Sequence, residues 1–353
     1  MAKHMFAGAS SPIGFIDFFH SILPLDKAKE RYFLKGSSGS GKSTFIKKIA
    51  AEFEAKGFNA EKFHCANDAD SLDAVSIPDK GISIIDATLP HSHDPEIPAA
   101  IDKIIDFAMF LDGNKVNKYL DEIKPLLQTK KVLYQKSLSC FASLGEAYLA
   151  GKATRESALS LDYLNELAEK TLRMFDVHKA KYSPGADRKL FLSALTPDGY
   201  VSFAGEFFDG CKVYGLCSEE GIGADIFLGK LRDEFNRCGI NTESFYFPIA
   251  PDRLEYLYLP EIKSAFSVAG SKFSNEVNID KKIDMCHCVD TKKISRLRPK
   301  KENCLFDKML NETITSMKTA KATHTRIEEI YAEAMDFEKI DILTEGMLRK
   351  LVK

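Results

Sequence analysis

The apolar positions of this chain change period along its length, and the changes mark out its elements. Tyr32-Phe33-Leu34 is an unbroken apolar run between polar neighbours, which predicts a short buried strand. From Lys42 to Lys56 the apolar residues fall at Phe45, Ile46, Ile49, Ala50 and Phe53, the spacing of a helix that packs along one face. Glu61-Lys-Phe-His-Cys65 predicts a second strand; Ile82-Ser-Ile-Ile85, entered past Pro78 and Gly81, predicts a third. Strands alternating with a helix imply a parallel sheet with helices on its faces. From about Pro98 to His178 the pattern turns helical, with breaks expected near Asp112-Gly113-Asn114 and at Pro125, and a second helical tail is expected from about Glu302 to Lys353.

The pattern is written twice. Phe6, Pro12, Gly14, Phe15 and Phe18 return as Phe191, Pro197, Gly199, Tyr200 and Phe203, all 185 residues later. Further on the offset is 182: six of the fifteen positions from Gly39 to Phe53 are identical to those from Gly221 to Phe235. The same offset pairs Gly57 with Gly239, Asn59 with Asn241, Phe63 with Phe245, Asp70 with Asp252, Leu72 with Leu254 and Pro78 with Pro260. Chance similarity does not keep one register for so long, so the expectation is a duplicated α/β domain, 1–182 and 183–353, each copy followed by a helical segment.

Composition narrows the classes. At 353 residues there is chain enough for two cores, and 44% apolar with 28% charged residues is the profile of a soluble globular protein. A net charge of −2, from 49 basic and 51 acidic side chains, offers no bulk attraction to nucleic acid or to an anionic membrane. The basic stretch from Lys292 to Lys301 reads as a solvated loop rather than a phosphate patch. There is no secretory signal at Met1–Gly8 and no apolar run long enough to span a bilayer. Eight scattered cysteines suggest reduced thiols in a cytoplasm; the tight pair in Cys286-His287-Cys288 lacks a second ligand pair at zinc-finger distance.

The chemistry concentrates between the first strand and the first helix. Gly36-Ser37-Ser38-Gly39-Ser40-Gly41-Lys42-Ser43-Thr44 fits G-x-x-x-x-G-K-[ST] in the strand–loop–helix context that the motif requires. Small residues let the backbone curl so that several N–H groups meet triphosphate oxygens at once, and the opening helix adds its unpaired amides. Lys42 is then expected on the β- and γ-phosphates and the Ser43 hydroxyl on Mg²⁺. The bland alternative is a Gly/Ser-rich turn that only links strand to helix. Asp86, closing the strand Ile82–Ile85, reads as a second Mg²⁺ partner, against the alternative of a turn cap.

After Asp86 comes Ala87, where many ATPases carry a Glu that orients the attacking water. Asp86-Ala-Thr-Leu89 is not D-x-x-G, and Asn114-Lys-Val-Asn117 is not N-K-x-D, so ATP is expected over GTP. His91, His93 and Asp94 follow closely enough to polarise water or a hydroxyl; the alternative is a polar turn and nothing more. The acidic segment His64–Asp73 reads as a loop leaving the second strand, where nucleoside kinases bind acceptors; Asp70 and Leu72 recur in the other copy, which favours a structural role for them and leaves Asp68 and Asp73 as weak candidates.

Together these residues resemble a bacterial family of uncharacterised predicted ATPases with tandem P-loop NTPase domains. The shared pieces are Phe6-Ala-Gly-Ala9 with Pro12 and Gly14-Phe15, the loop Gly36–Thr44, His64-Cys65, Ser71-Leu72-Asp73, Ile77-Pro78, and Asp86-Ala-Thr88-Leu-Pro90-His91 with Asp94-Pro95. The resemblance spans nearly the whole chain and implies ATP binding and hydrolysis with no defined substrate or partner. The second copy departs from it: Ala224 replaces the lysine, Asp225 the Mg²⁺-binding serine and Val268 the Asp86 carboxylate, while Glu219 and Glu220 add negative charge. Three readings follow, in order: a Mg²⁺-dependent ATPase with one active site; a small-molecule kinase, weakened by the scarcity of arginines for a lid; and a nucleotide-sensing scaffold with little hydrolysis, close behind the first.

Overall fold

The computed structural model describes residues 2–89, 92–175, 183–217, 222–269, 273, 277–297 and 302–352. The first half lays down strand β1 (Lys3–Met5), hairpin β2 (Gly8–Ser11) and β3 (Gly14–Asp17), β4 (Glu30–Lys35), helix α1 (Lys42–Ala55), β5 (Glu61–Cys65), β6 (Asp68–Ile77), β7 (Ile82–Asp86) and β8 (Asp102–Asp106). Helices α2 (Gly113–Lys118), α3 (Leu120–Glu156) and α4 (Leu161–Arg173) follow. The second half runs β9 (Asp187–Leu190), β10 (Ser193–Thr196), β11 (Gly199–Ser202), α5 (Ala204–Phe207), β12 (Lys212–Cys217), α6 (Ala224–Arg237), β13 (Thr242–Phe247), β14 (Ala250–Leu259), β15 (Ser264–Ala269) and β16 (Lys281–Asp284). It ends with α7 (Thr291–Leu297), α8 (Glu302–Ala334) and α9 (Phe337–Leu351).

Two six-stranded sheets result, ordered β1-β5-β6-β7-β4-β8 and β9-β13-β14-β15-β12-β16, and they match strand for strand. Both are mixed rather than parallel. The loop Ala66-Asn67 between β5 and β6 is far too short for a crossover, so β6 must return antiparallel, and it pairs antiparallel with β7 as well. The acidic segment read as a loop is therefore the opening of β6, whose later residues Ala74-Val75-Ser76-Ile77 are wholly buried. The segment after Pro98 likewise starts as a strand, not a helix. Buried Asp102 accepts from Arg31 Nε and Nη2 at 2.7 and 2.9 Å and from the N–H groups of Glu96 and Ile97, which pins β8 beside β4.

Helix begins at Gly113, where the Asp112 carboxylate caps Asn114 N–H. Pro125 does not break α3; it lies exposed near the start, where the carbonyl it frees, on Asp121, faces solvent. The start of the basic stretch, read as a loop, forms α7, because Ile294 is buried; 298–301 lie outside the described residues. No helix among the described residues is long and apolar enough to cross a membrane.

The long helices cover one face of each sheet, and the single turn α5 packs Phe207 against the other. Alternate side chains of the first sheet divide two ways: Tyr32, Leu34, Val75 and Ile84 pack outward beneath α1, while Phe33, Phe63, Ala74 and Ile85 pack inward. The inward set meets Val213, Phe245, Tyr256, Tyr258 and Ala265 of the second sheet, giving layers in the order helix, sheet, sheet, helix. At the junction Phe6 and Phe191 exchange backbone hydrogen bonds of 2.9 and 3.0 Å. Arg188 bridges the buried carboxylates of Glu61 and Glu243, which are equivalent at offset 182.

The helical tails cross over. Met335, Ile340, Met347 and Leu351, at the end of the second half, join Phe45, Ile49 and Phe53 of α1 in one core. Ala158, Leu164 and Ala168, at the end of the first, join Phe227, Leu231 and Phe235 of α6. Each half thus closes the outer core of the other, while α3 and α8 lie against each other, with Ser137 and Ser316 hydrogen-bonded at 3.0 Å.

Arg188→Met should cost about 3–5 kcal/mol, because two buried carboxylates lose their cation while the stem volume is kept. Urea denaturation measures this; a variant within about 1 kcal/mol of the parent, smaller than the loss of one hydrogen bond to a charged group, would remove Arg188 from the account of the interface.

Candidate functional site

β4 ends at Lys35 and α1 begins at Lys42, so the loop between them is suspended from one buried strand and one buried helix. Leu34 pairs with Asp86 in the parallel ladder, which sets the end of β7 beside the start of the loop. Gly39 and Gly41 take φ of 75° and 86°, a region that side chains with a Cβ avoid, and this turns the loop back toward the helix axis. The curl brings Lys42 Nζ to 3.1 Å from Gly36 O, 2.8 Å from Ser37 O and 3.4 Å from Ser40 Oγ. Asp86 Oδ2 stands 3.6 Å from the same ammonium. The other Asp86 oxygen accepts from Thr88 N–H and from the Thr88 hydroxyl. Helix α1 starts without a side-chain cap, which leaves its first amides facing the loop.

Ser43 Oγ accepts from Leu72 N–H at 2.9 Å, tying the helix to β6. Ser40 Oγ donates to Ser37 O at 2.7 Å, whereas Ser37 Oγ is buried without a hydrogen-bond partner among the described residues. Ser38 is half-buried and Thr44 exposed. Gly36, Ser37, Ser40, Lys42 and Asp86 therefore converge, with Ser43 one residue along.

The histidine segment is held elsewhere. Lys35 Nζ donates to Ala87 O and His93 O at 2.8 and 3.0 Å and lies 3.7 Å from the exposed Asp94 carboxylate. His93 stacks on Phe19 at 5.0 Å, with Nε2 3.3 Å from Asp17 Oδ1, so its ring is engaged by the first hairpin's surroundings. His91 lies outside the described residues. Of the two acidic candidates, Asp73 is buried. Asp68 accepts from Ser71 Oγ and from Lys321 Nζ, at 2.6 and 2.9 Å, and these bonds hold its carboxyl below the usual range against the opposing effect of burial.

Lys321 was not legible as a site residue, and neither were its companions. Helix α8, from the far end of the chain, presses on the loop: a Cβ on Gly39 would meet the Glu328 carbonyl oxygen at 2.2 Å. The side chains of Phe337 and Ile340 in α9 lie over Gly41 less tightly, a Cβ there meeting Phe337 at 3.2 Å. The face that α8 turns to the loop carries Lys321, His324 and Glu328, with His324 Nε2 3.4 Å from Glu328 Oε1. Burial raises the Glu328 carboxyl, as does the charge of Asp68; Lys130, Lys42 and Lys321 oppose. Burial pushes His324 down to about 4, helped by the ammonium groups of Lys130 and Lys42 and opposed by Asp68. The only sequence signal was a spacing of three and four residues on one helix face, which many helices share.

At the start of α6, the equivalent place in the second half, the acidic side chain is paired with a cation. Asp225 stands where the first half has Ser43, and Arg253 Nη1 lies 3.4 Å from its carboxylate. Arg253 also bonds Glu156 and lies over the Tyr148 ring, 5.9 Å from its centroid. Lys152 sits 3.7 Å from Glu156 and 4.0 Å from Asp252. Glu219 and Glu220 lie outside the described residues. Among the described residues no three His, Cys, Asp or Glu side chains assemble into a metal-holding group. A cation at the first loop would thus depend on one hydroxyl, one carboxylate and oxygens brought by a ligand. Comparison of the chain with protein-family models, with curated proteins and with solved structures finds no match in any of the three.

Gly39→Ala should push α8 off the loop, since the new methyl meets backbone and the left-handed φ adds about 1–2 kcal/mol. Hydrogen exchange is expected to quicken across 321–334; unchanged protection there would show that this contact does not hold the arm.

Proposed function

We propose that the first half binds Mg²⁺–ATP at the loop Gly36–Thr44 and hydrolyses it, as the resemblance to the tandem P-loop ATPases implies, and that the departures of the second copy at Ala224 and Asp225 limit each chain to one nucleotide. The observation that carries this reading is the meeting of Lys42 with Asp86 at 3.6 Å, at the mouth of a loop curled around the lysine. A triphosphate brings about four negative charges, and the loop answers with one ammonium, the uncapped start of α1 and a ring of small residues. Ser43 and Asp86 are the side chains that would hold Mg²⁺, which would neutralise the β- and γ-oxygens. They fit: each has an oxygen bonded to β6 or to Thr88, which fixes its orientation, and hydroxyl and carboxylate are ligands a hard cation accepts.

Hydrolysis is favoured over transfer to a small acceptor by the state of the acidic segment. Asp73 is buried, and Asp68 is already engaged by Lys321, so neither offers an open carboxylate to a substrate hydroxyl. Limitation to one site follows from charge. In the second loop Asp225 and Arg253 satisfy each other, and no lysine stands at position 224.

Calorimetry with a non-hydrolysable ATP analogue should saturate near one equivalent, and Lys42→Ala should weaken binding by about a hundredfold or more, as expected for removal of a charge-assisted contact at a buried site. Two equivalents would overturn the assignment of the second loop. Unchanged affinity in Lys42→Ala would overturn the site itself.

A further inference from the structure

The chain lacks a carboxylate after Asp86 to orient water, yet a titratable pair lies against the same loop on another element. We propose that His324, oriented by Glu328, holds the water that attacks the γ-phosphate of a nucleotide on the loop Gly36–Thr44; this rests on the ATPase reading above.

The placement comes from three contacts along one face of α8. At one end Glu328 is in van der Waals contact with Gly39 of the loop through its backbone. At the other, Lys321 Nζ bonds Asp68 at 2.9 Å, at the start of the strand whose Leu72 N–H bonds Ser43. His324 lies between them, three residues from one and four from the other, hence on the same face and above the start of α1. A carboxylate only accepts, so the imidazole proton belongs on Nε2, toward Glu328 at 3.4 Å. Nδ1 is left with its lone pair, and that atom is buried with no hydrogen-bond partner among the described residues. A buried, unpartnered acceptor backed by a carboxylate on the other nitrogen is the arrangement of a general base.

The two halves supply an internal comparison. Asp112 N–H bonds Ala334 O just as Asp290 N–H bonds Ala158 O, so the ends of α8 and α3 correspond with an offset of 334 − 158 = 176. On that register His324 matches Tyr148 and Glu328 matches Lys152. The pair is present over the loop that keeps Lys42 and Ser43, and absent over the loop that carries Ala224 and Asp225. A merely structural packing pair has no reason to follow the loop's chemistry in this way.

In the step, the water oxygen bonds the γ-phosphorus as the bond from that phosphorus to the bridging oxygen breaks, its electron pair leaving with ADP. The water's proton passes to His324 Nδ1. The groups facing the imidazole are Lys42 from α1, Asp68 from β6, Lys130 from α3, and Glu328 and Lys321 on its own helix. The ammonium groups depress its basicity; the negative charge of a bound triphosphate offsets them, so the base strengthens when substrate is present.

The test uses the full chain with Mg²⁺–ATP, analogue binding by calorimetry and phosphate release. His324→Ala should lower kcat by about a hundredfold with affinity within threefold, and imidazole in the buffer should restore part of the rate. His324→Phe, which keeps the ring volume, should be as slow and gain nothing from imidazole. Glu328→Gln should move the acid limb of the kcat profile to lower pH, because the protonated imidazole loses its carboxylate. Parental rates in both His324 variants, or affinity lost as in Lys42→Ala, would overturn the proposal. A parent that binds ATP but releases no phosphate overturns the base and spares the site; a parent that binds no ATP overturns both.

Discussion

The architecture depends on one reciprocal contact. Phe6 and Phe191, equivalent residues of the two copies, donate to each other's carbonyls, so the halves meet around a local twofold with their sheets face to face. With the inner faces spent largely on each other, the long helices pack on the outer ones. Burial of Glu61 and Glu243 near this junction would be costly without Arg188 between them, and its guanidinium also donates to the carbonyls of Ser21 and Ile22. The junction is thus fixed by backbone, apolar and charged contacts together, with little freedom for the halves to rotate.

Much of the scaffold could be read from sequence because its signals are local. The apolar run at Tyr32–Leu34 and the helical spacing from Phe45 to Phe53 describe elements that bury one continuous surface, and the curled loop between them follows from glycine positions alone. β6 escaped because its first six residues, Asp68 to Asp73, carry three acidic side chains and alternate poorly, and Asp73 interrupts the apolar pattern inside its buried part, Leu72 to Ile77. β8 escaped because its anchor is the Arg31–Asp102 pair, 71 positions apart, which no periodicity reveals. The second face of each sheet looked ready for helices since an inner core against another sheet and one against a helix demand the same apolar residues.

The candidate site divides along the same line. Lys42, Ser43 and Asp86 were legible from spacing, because the loop motif and the strand end sit in contiguous chain. The arm was not, since Lys321, His324 and Glu328 come to the loop only through the crossing of the tails. His93, close in sequence to Asp86, illustrates the converse: its ring is claimed by Phe19 and Asp17. Nearness along the chain was a weaker guide than the helix that arrives from the other copy.

That crossing also accounts for a second copy that lacks the loop lysine. Its own loop is occupied by the Asp225–Arg253 pair, and burial raises the Asp225 carboxyl while the guanidinium opposes that rise. Removing this copy would strip α1 of Met335, Ile340, Met347 and Leu351 and take α8 from Gly39. The first loop is therefore packed in part by the second half. Conversely α4 of the first half closes the core over α6, so neither copy has a complete core of its own. A change at the loop Gly36–Thr44 reaches α8 through Gly39, where backbone meets backbone with no side chain to absorb displacement. From α8 it passes to α3, and so to the arm over the other loop. Duplication with exchanged tails has made one packed unit from two domains, in which each outer core is completed by the tail of the other half.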